Sequence, residues 1–129
     1  LAARPELATR LIATGARSQE EIAAFLQRCD IMIQPYPDGV STRRTTVMAA
    51  LASGRPTVTT RGALTEPFWE TAPVRLVPPG STPAFVGQVR ELLDRPEDRQ
   101  RLGEEAGAFY RHNLGIACTV QRLRPDSSI

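Results

Sequence analysis

Lysine is missing from this chain altogether. All 16 basic residues among its 129 are arginines, which removes the chemistries that run on a lysine amine: P-loop phosphate binding, Schiff-base formation and the phosphorylation switch of receiver domains. Any cation the protein offers to a phosphate is therefore a planar, permanently charged fork able to hold two oxygens at once. Histidine occurs once, at His112, and cysteine twice, at Cys29 and Cys118. No second His or Cys stands at metal-ligand spacing, so the two cysteines read as small buried hydrophobes and His112 as a capping or surface residue near a helix end. The motifs GxGxxG, GxxxxGK[ST], HExxH and GxSxG are absent too, leaving hydride, kinase, zinc and serine-hydrolase readings without residues.

Other quantities are small rather than zero. The formal net charge is only +2, with the arginines scattered, so nucleic acid is not an expected partner. No apolar run approaches the roughly 18 residues of a membrane span, and the N-terminus lacks a basic-then-apolar leader. No transmembrane segment is expected, and the cytoplasm is the expected location. At 14.1 kDa the chain is long enough to bury a core of its own.

What is present alternates between two periods. Strands are expected at 10–14, 31–33, 57–60 and 74–77, each short and rich in apolar or β-branched residues. Between them lie helical patterns. Ser18 and Glu21 have capping-box spacing ahead of Ile22, Phe25, Leu26 and Cys29, a stripe expected to be buried. Thr45 to about Ser53 is rich in Ala, Met and Leu and stops at Gly54, with Pro56 beyond. Phe85, Val86, Val89, Leu92 and Leu93 form a stripe after the Thr82-Pro83 start, a further helix runs to about Tyr110 after Pro96, and 116–123 is the last helical candidate. Trp69 beside Phe68 reads as a packing anchor. This pattern predicts an α/β fold, a Rossmann-like parallel sheet of about four strands with flanking helices, over 1–123, with a tail at 124–129. Ligands of such sheets sit beyond the carboxyl ends of the strands, which nominates the loops at 15–17, 36–44, 61–66 and 78–82.

The second of these loops carries the chemistry. It reads Asp38-Gly39-Val40-Ser41-Thr42-Arg43-Arg44 and leads into a helix start, where unpaired N–H groups and the helix dipole favour an anion. Gly39 allows a tight turn or a close backbone approach, Ser41 and Thr42 can cap or donate, and Arg43 and Arg44 add forks suited to phosphate. The alternatives for these residues are a solvated helix start with two surface arginines and an Asp-Gly turn.

The runs Cys29-Asp30-Ile31-Met32-Ile33-Gln34-Pro35, Asp38-Gly39 and Met48-Ala49-Ala50-Leu51-Ala52-Ser53-Gly54-Arg55-Pro56-Thr57-Val58 resemble the donor-binding, C-terminal half of GT-B glycosyltransferases of group 1. The resemblance covers most of residues 1–112. It implies a nucleoside-diphosphate sugar as donor, no cofactor and no metal. It places Arg43 and Arg44 on the departing diphosphate as the catalytic groups, Asp38 on sugar hydroxyls, backbone around Gly15 and Ala16 on the base, and Glu66 at the ribose or phosphate edge. Gly39, Val40, Ser41, Thr42 and Thr45 complete the expected donor contacts. Two departures stand out: the family's second Glu, which grips the donor ribose, falls on Ala49, and the loop is longer than usual by residues that include the arginine pair.

In that family the acceptor site belongs to an N-terminal domain. Leu1 falls where a donor domain would already have completed its first units, so the resemblance implies a piece of a larger enzyme, missing the acceptor-binding domain and transferring no sugar alone. It also implies a first strand at 10–14 near an exposed sheet edge, open to self-association. The competing class is a non-catalytic α/β nucleotide-binding or protein-interaction module.

Overall fold

The computed structural model describes residues 4–124. Three parallel strands, β1 (Met32–Gln34), β2 (Thr57–Thr60) and β3 (Arg75–Val77), lie side by side in that order. Ile33 stands beside Val58, and Thr60 beside Val77. Five helices accompany them: α1 (Gln19–Arg28), α2 (Thr45–Ala52), α3 (Thr82–Asp94), α4 (Pro96–Asn113) and α5 (Ile116–Leu123). Short 3-10 turns form at Pro5–Leu7 and Pro67–Glu70.

The central strand β2 is buried on both faces, as the middle of a parallel sheet requires, while β3 is half-buried and β1 leaves Ile33 exposed. Leu76 and Val77 are neighbours in β3 and so point to opposite sides. Leu76 packs with Val40, Val47, Leu51, Trp69 and Ala106, the core shared with α2 and α4, while Val77 packs with Val58, Leu92, Phe85 and Val89 beneath α3. Small residues let α2 and α4 close on each other. Gly54, at φ +63°, ends α2 with its N–H on the Leu51 carbonyl (3.0 Å) and the Arg55 N–H on the Ala50 carbonyl (3.0 Å), a paired C-terminal closure that glycine permits. A side chain on Gly103 of α4 would put its Cβ 2.6 Å from the Gly54 carbonyl oxygen.

Three expectations are corrected. The described sheet has three strands rather than four, because Arg10–Thr14 is an exposed, unpaired segment in which Ile12 is 86% exposed. Apolar side chains give a segment reason to bury, but its N–H and C=O groups need a neighbouring strand, and no described strand lies beside this one. The self-pairing edge expected there is therefore not formed, and the described edges are β1 and β3. Second, α1 has its capping box, with Glu21 N–H on Ser18 Oγ (3.2 Å) and Ser18 N–H on Glu21 Oε2 (2.9 Å), yet its stripe is not buried: Ile22 and Phe25 are exposed, and Leu26 and Cys29 only half-buried. Cys118 is half-buried as well. Third, Val86 and Leu93 of α3 face outward, and Phe85, Val89 and Leu92 carry its contact with the sheet. The tail expected from residue 124 lies, beyond that residue, outside the described residues.

Candidate functional site

Because the strands are parallel, the loops that follow them gather at one end of the sheet. The loops after β1 and β2 are clasped backbone to backbone. Val40 N–H donates to the Thr60 carbonyl (2.8 Å) and Leu64 N–H to the Asp38 carbonyl (3.0 Å). Gly39 turns at φ +91°, and a Cβ on it would collide with Gly62 N; one on Gly62 would collide with the Asp38 carbonyl. Gly39 therefore has two reasons to be glycine, while Gly62 has one, the proximity of Asp38 and Gly39.

On this clasp the two arginines separate. Arg44 pairs with Asp38 and lies over the Tyr36 ring, its guanidinium carbon 4.6 Å from the centroid. Tyr36 is itself fixed: its hydroxyl donates to Gln34 Oε1 (2.8 Å), its N–H donates to Thr60 Oγ1 (2.9 Å), and Thr46 Oγ1 lies 2.5 Å from the hydroxyl. Arg43 is exposed, and among the described residues no hydrogen bond or ion pair engages its guanidinium. One cation of the pair is thus held by protein groups and the other is free to meet solvent or a ligand.

Glu66, at the end of the β2 loop, is engaged on both oxygens. Its Oε1 accepts from Thr42 N–H (3.1 Å) and Thr42 Oγ1–H (2.7 Å), and its Oε2 accepts from Trp69 Nε1–H (2.9 Å). The Trp69 ring is fully buried in the core. Partial burial pushes the Glu66 carboxyl up, but hydrogen bonds from the Thr42 side chain and backbone, its own amide and Trp69 together hold it below the usual carboxylate range.

The remaining expected residues fall unevenly. The Val40 side chain is in the core beside Val47 and Leu51, and Ser41 and Gly39 are buried, so they shape the loop more than its surface. Thr45 is exposed at the first position of α2. Gly15 and Ala16 are exposed, and the hydrogen bonds around them stay local, as from Arg17 Nε to the Thr14 carbonyl (2.8 Å); none reaches the other three loops. Sequence reasoning missed Tyr36, whose signal was an aromatic ring between two prolines at a strand end. It also missed the open, largely apolar depression of about 470 Å³ between Ile33, Tyr36 and Pro37 on one side and Pro78, Pro79 and Phe85 on the other. Among the described residues no three His, Cys, Asp or Glu side chains converge as metal ligands, and no helix is long and apolar enough to cross a membrane.

An exposed guanidinium beside a fixed Arg44–Asp38 pair, on a loop that opens a helix at the carboxyl end of a parallel sheet, can hold a phosphate next to a hydroxyl-bearing group. No curated protein and no solved structure matches the chain. The family described as Glycosyl transferases group 1 does match, over residues 1–95. That span holds all three strands, the clasped loops and the whole of α3. This chain belongs to the group 1 glycosyltransferases.

Proposed function

We propose that the chain binds the donor of a glycosyl transfer, a nucleoside-diphosphate sugar, over the loops that follow β1 and β2. The observation that carries this reading is the position of Arg43, exposed and unengaged at the entry to α2, one residue from an arginine that Asp38 and Tyr36 hold in place. In glycosyl transfer the bond from the anomeric carbon to the diphosphate oxygen breaks, and negative charge grows on the departing nucleoside diphosphate. Arg43 supplies a fork that can close on that charge, and the free N–H groups near Thr45 add donors already oriented toward it. Arg44 is a fixed positive edge rather than a moving clamp. Asp38, partly neutralised by Arg44, keeps acceptor capacity for sugar hydroxyls. A base contact at Gly15 and Ala16 requires that exposed loop to come toward the other three on binding. The acceptor site belongs, in this reading, to a second domain.

The test is calorimetry on the full chain with uridine, guanosine and adenosine diphosphates. Binding of one of them, weakened about ten-fold or more in Arg43→Ala and partly restored in Arg43→Lys, is expected from the loss of one charge-assisted contact of about 1.5–3 kcal/mol. Failure of all three to bind, or an unchanged affinity in Arg43→Ala, overturns the reading. A second reading, a non-catalytic α/β module, is favoured by one observation: both loop carboxylates already have protein partners, Asp38 with Arg44 and Glu66 with Thr42. It predicts no binding in the same titrations.

A further inference from the structure

We propose that Glu66 is a positioning residue: it locks Thr42, and with it the backbone that presents Arg43, to the buried indole of Trp69, and it does not itself touch the donor. In the part that concerns the donor, this rests on the reading above.

The argument starts from acceptor capacity. A carboxylate has about four lone-pair sites. Thr42 N–H, Thr42 O–H and Trp69 Nε1–H occupy three, at 3.1, 2.7 and 2.9 Å, and the backbone N–H of Glu66 also acts on it. To hold a ribose or sugar hydroxyl, Glu66 would have to release Thr42 or leave a fully buried indole N–H without a partner, and a buried donor left unsatisfied destabilises the fold. The carboxylate is therefore already used.

What it is used for follows from its neighbours. Trp69 packs with Val47, Leu51 and Ala72 and makes a 5.0 Å ring contact with Phe68, so the indole is a fixed point. Thr42, by contrast, is exposed, and in the loop ahead of α2 its tie to the β2 loop is this carboxylate. The Gly39–Gly62 contact brings the loops together at one end, and the Thr42–Glu66 contact fixes them further on, three residues past Gly39 and four past Gly62. Arg43 follows Thr42 directly, so the backbone from which its side chain leaves is set by a chain of contacts that begins in the core.

Two measurements on the full chain decide the matter. In the ligand-free protein, amide and indole hydrogen exchange is compared between wild type, Glu66→Ala and Thr42→Val. Faster exchange at the Trp69 indole in Glu66→Ala, and at the Arg43 amide in both variants, is expected. Thr42→Val, at an exposed site, guards against a Glu66 variant that fails to fold. Unchanged exchange overturns the lock. Then the diphosphate that the wild type binds is titrated into both single variants and the double variant. If Glu66 acts through Thr42, each single substitution weakens binding about ten-fold and the double no further; Thr42→Ser, which keeps the hydroxyl, restores it. Losses that multiply to about a hundred-fold in the double variant place Glu66 on the ligand and overturn the proposal. If the wild type binds none of the three diphosphates, the donor reading falls, while the exchange data still decide the lock.

Discussion

Residues 10–28 and residues 31–60 have the same local design, a short apolar segment with a capped or punctuated helix beside it, and opposite fates. In the second, α2 and β2 build a core in which Val47, Ala50, Leu51 and Val58 are fully buried, and β1, although its Ile33 stays exposed, pairs along its length with β2. In the first, Arg10–Thr14 pairs with no strand among the described residues and α1 leaves Ile22 47% and Phe25 45% exposed, although its capping box is complete. A cap satisfies backbone donors within one turn and is indifferent to what the far face of the helix meets. A strand needs a partner, and β1 has one because β2 lies alongside it, while burial goes to β2 and α2 at the centre.

The largest expected effect that tests this contrast is on stability. Trp69→Ala removes a buried ring and orphans an acceptor on Glu66, and should lower the unfolding free energy by about 3–5 kcal/mol in denaturant titrations. Phe25→Ala should lower it by about 0.5 kcal/mol or less. A comparable loss in both would mean that α1 is held by contacts its exposure does not reveal. A smaller contrast lies between two glycines. Gly62→Ala drives a Cβ into the Asp38 backbone and should cost about 1–3 kcal/mol. Gly15→Ala, at φ +64° but with nothing around its side-chain position, should cost about 1 kcal/mol at most, since an exposed loop can relax. Equal costs would erase the distinction between a glycine required by crowding and one required by backbone angle alone.

The smallest effect is acid sensitivity. Glu66 titrates below its ordinary value in the folded chain, so its contribution to stability is present above the unfolded value of about 4.3 and is lost as pH falls through the lower folded value. Glu70, held down by Arg61, shifts in the same direction. The difference between wild type and Glu66→Gln therefore isolates Glu66. Fluorescence of the sole tryptophan should show an acid transition that is smaller in the variant than in the wild type, the difference being the share of Glu66.

Much of this was legible beforehand. The strands at 31–33, 57–60 and 74–77, the glycine stop of α2, the buried Trp69 and the placement of three loops at one end all follow from periodicity and punctuation. The difference in surroundings between Arg43 and Arg44 does not, because it depends on Asp38 and Tyr36 folding back across the turn. Nor does the use of Glu66, which meets Thr42 across 24 residues of sequence. Adjacent arginines look alike in a sequence; their partners are made by the tertiary fold.

The contact between Gly39 and Gly62 has a consequence for exchange of parts. Two loops whose main chains touch without a side chain between them share one geometry, and neither tolerates a change of length or a bulkier residue without displacing the other. For grafting or loop swapping, the natural unit is then the whole stretch from Tyr36 to Trp69, carried with its helix and strand. A transplant of the arginine loop by itself would arrive without the surface that gives it shape.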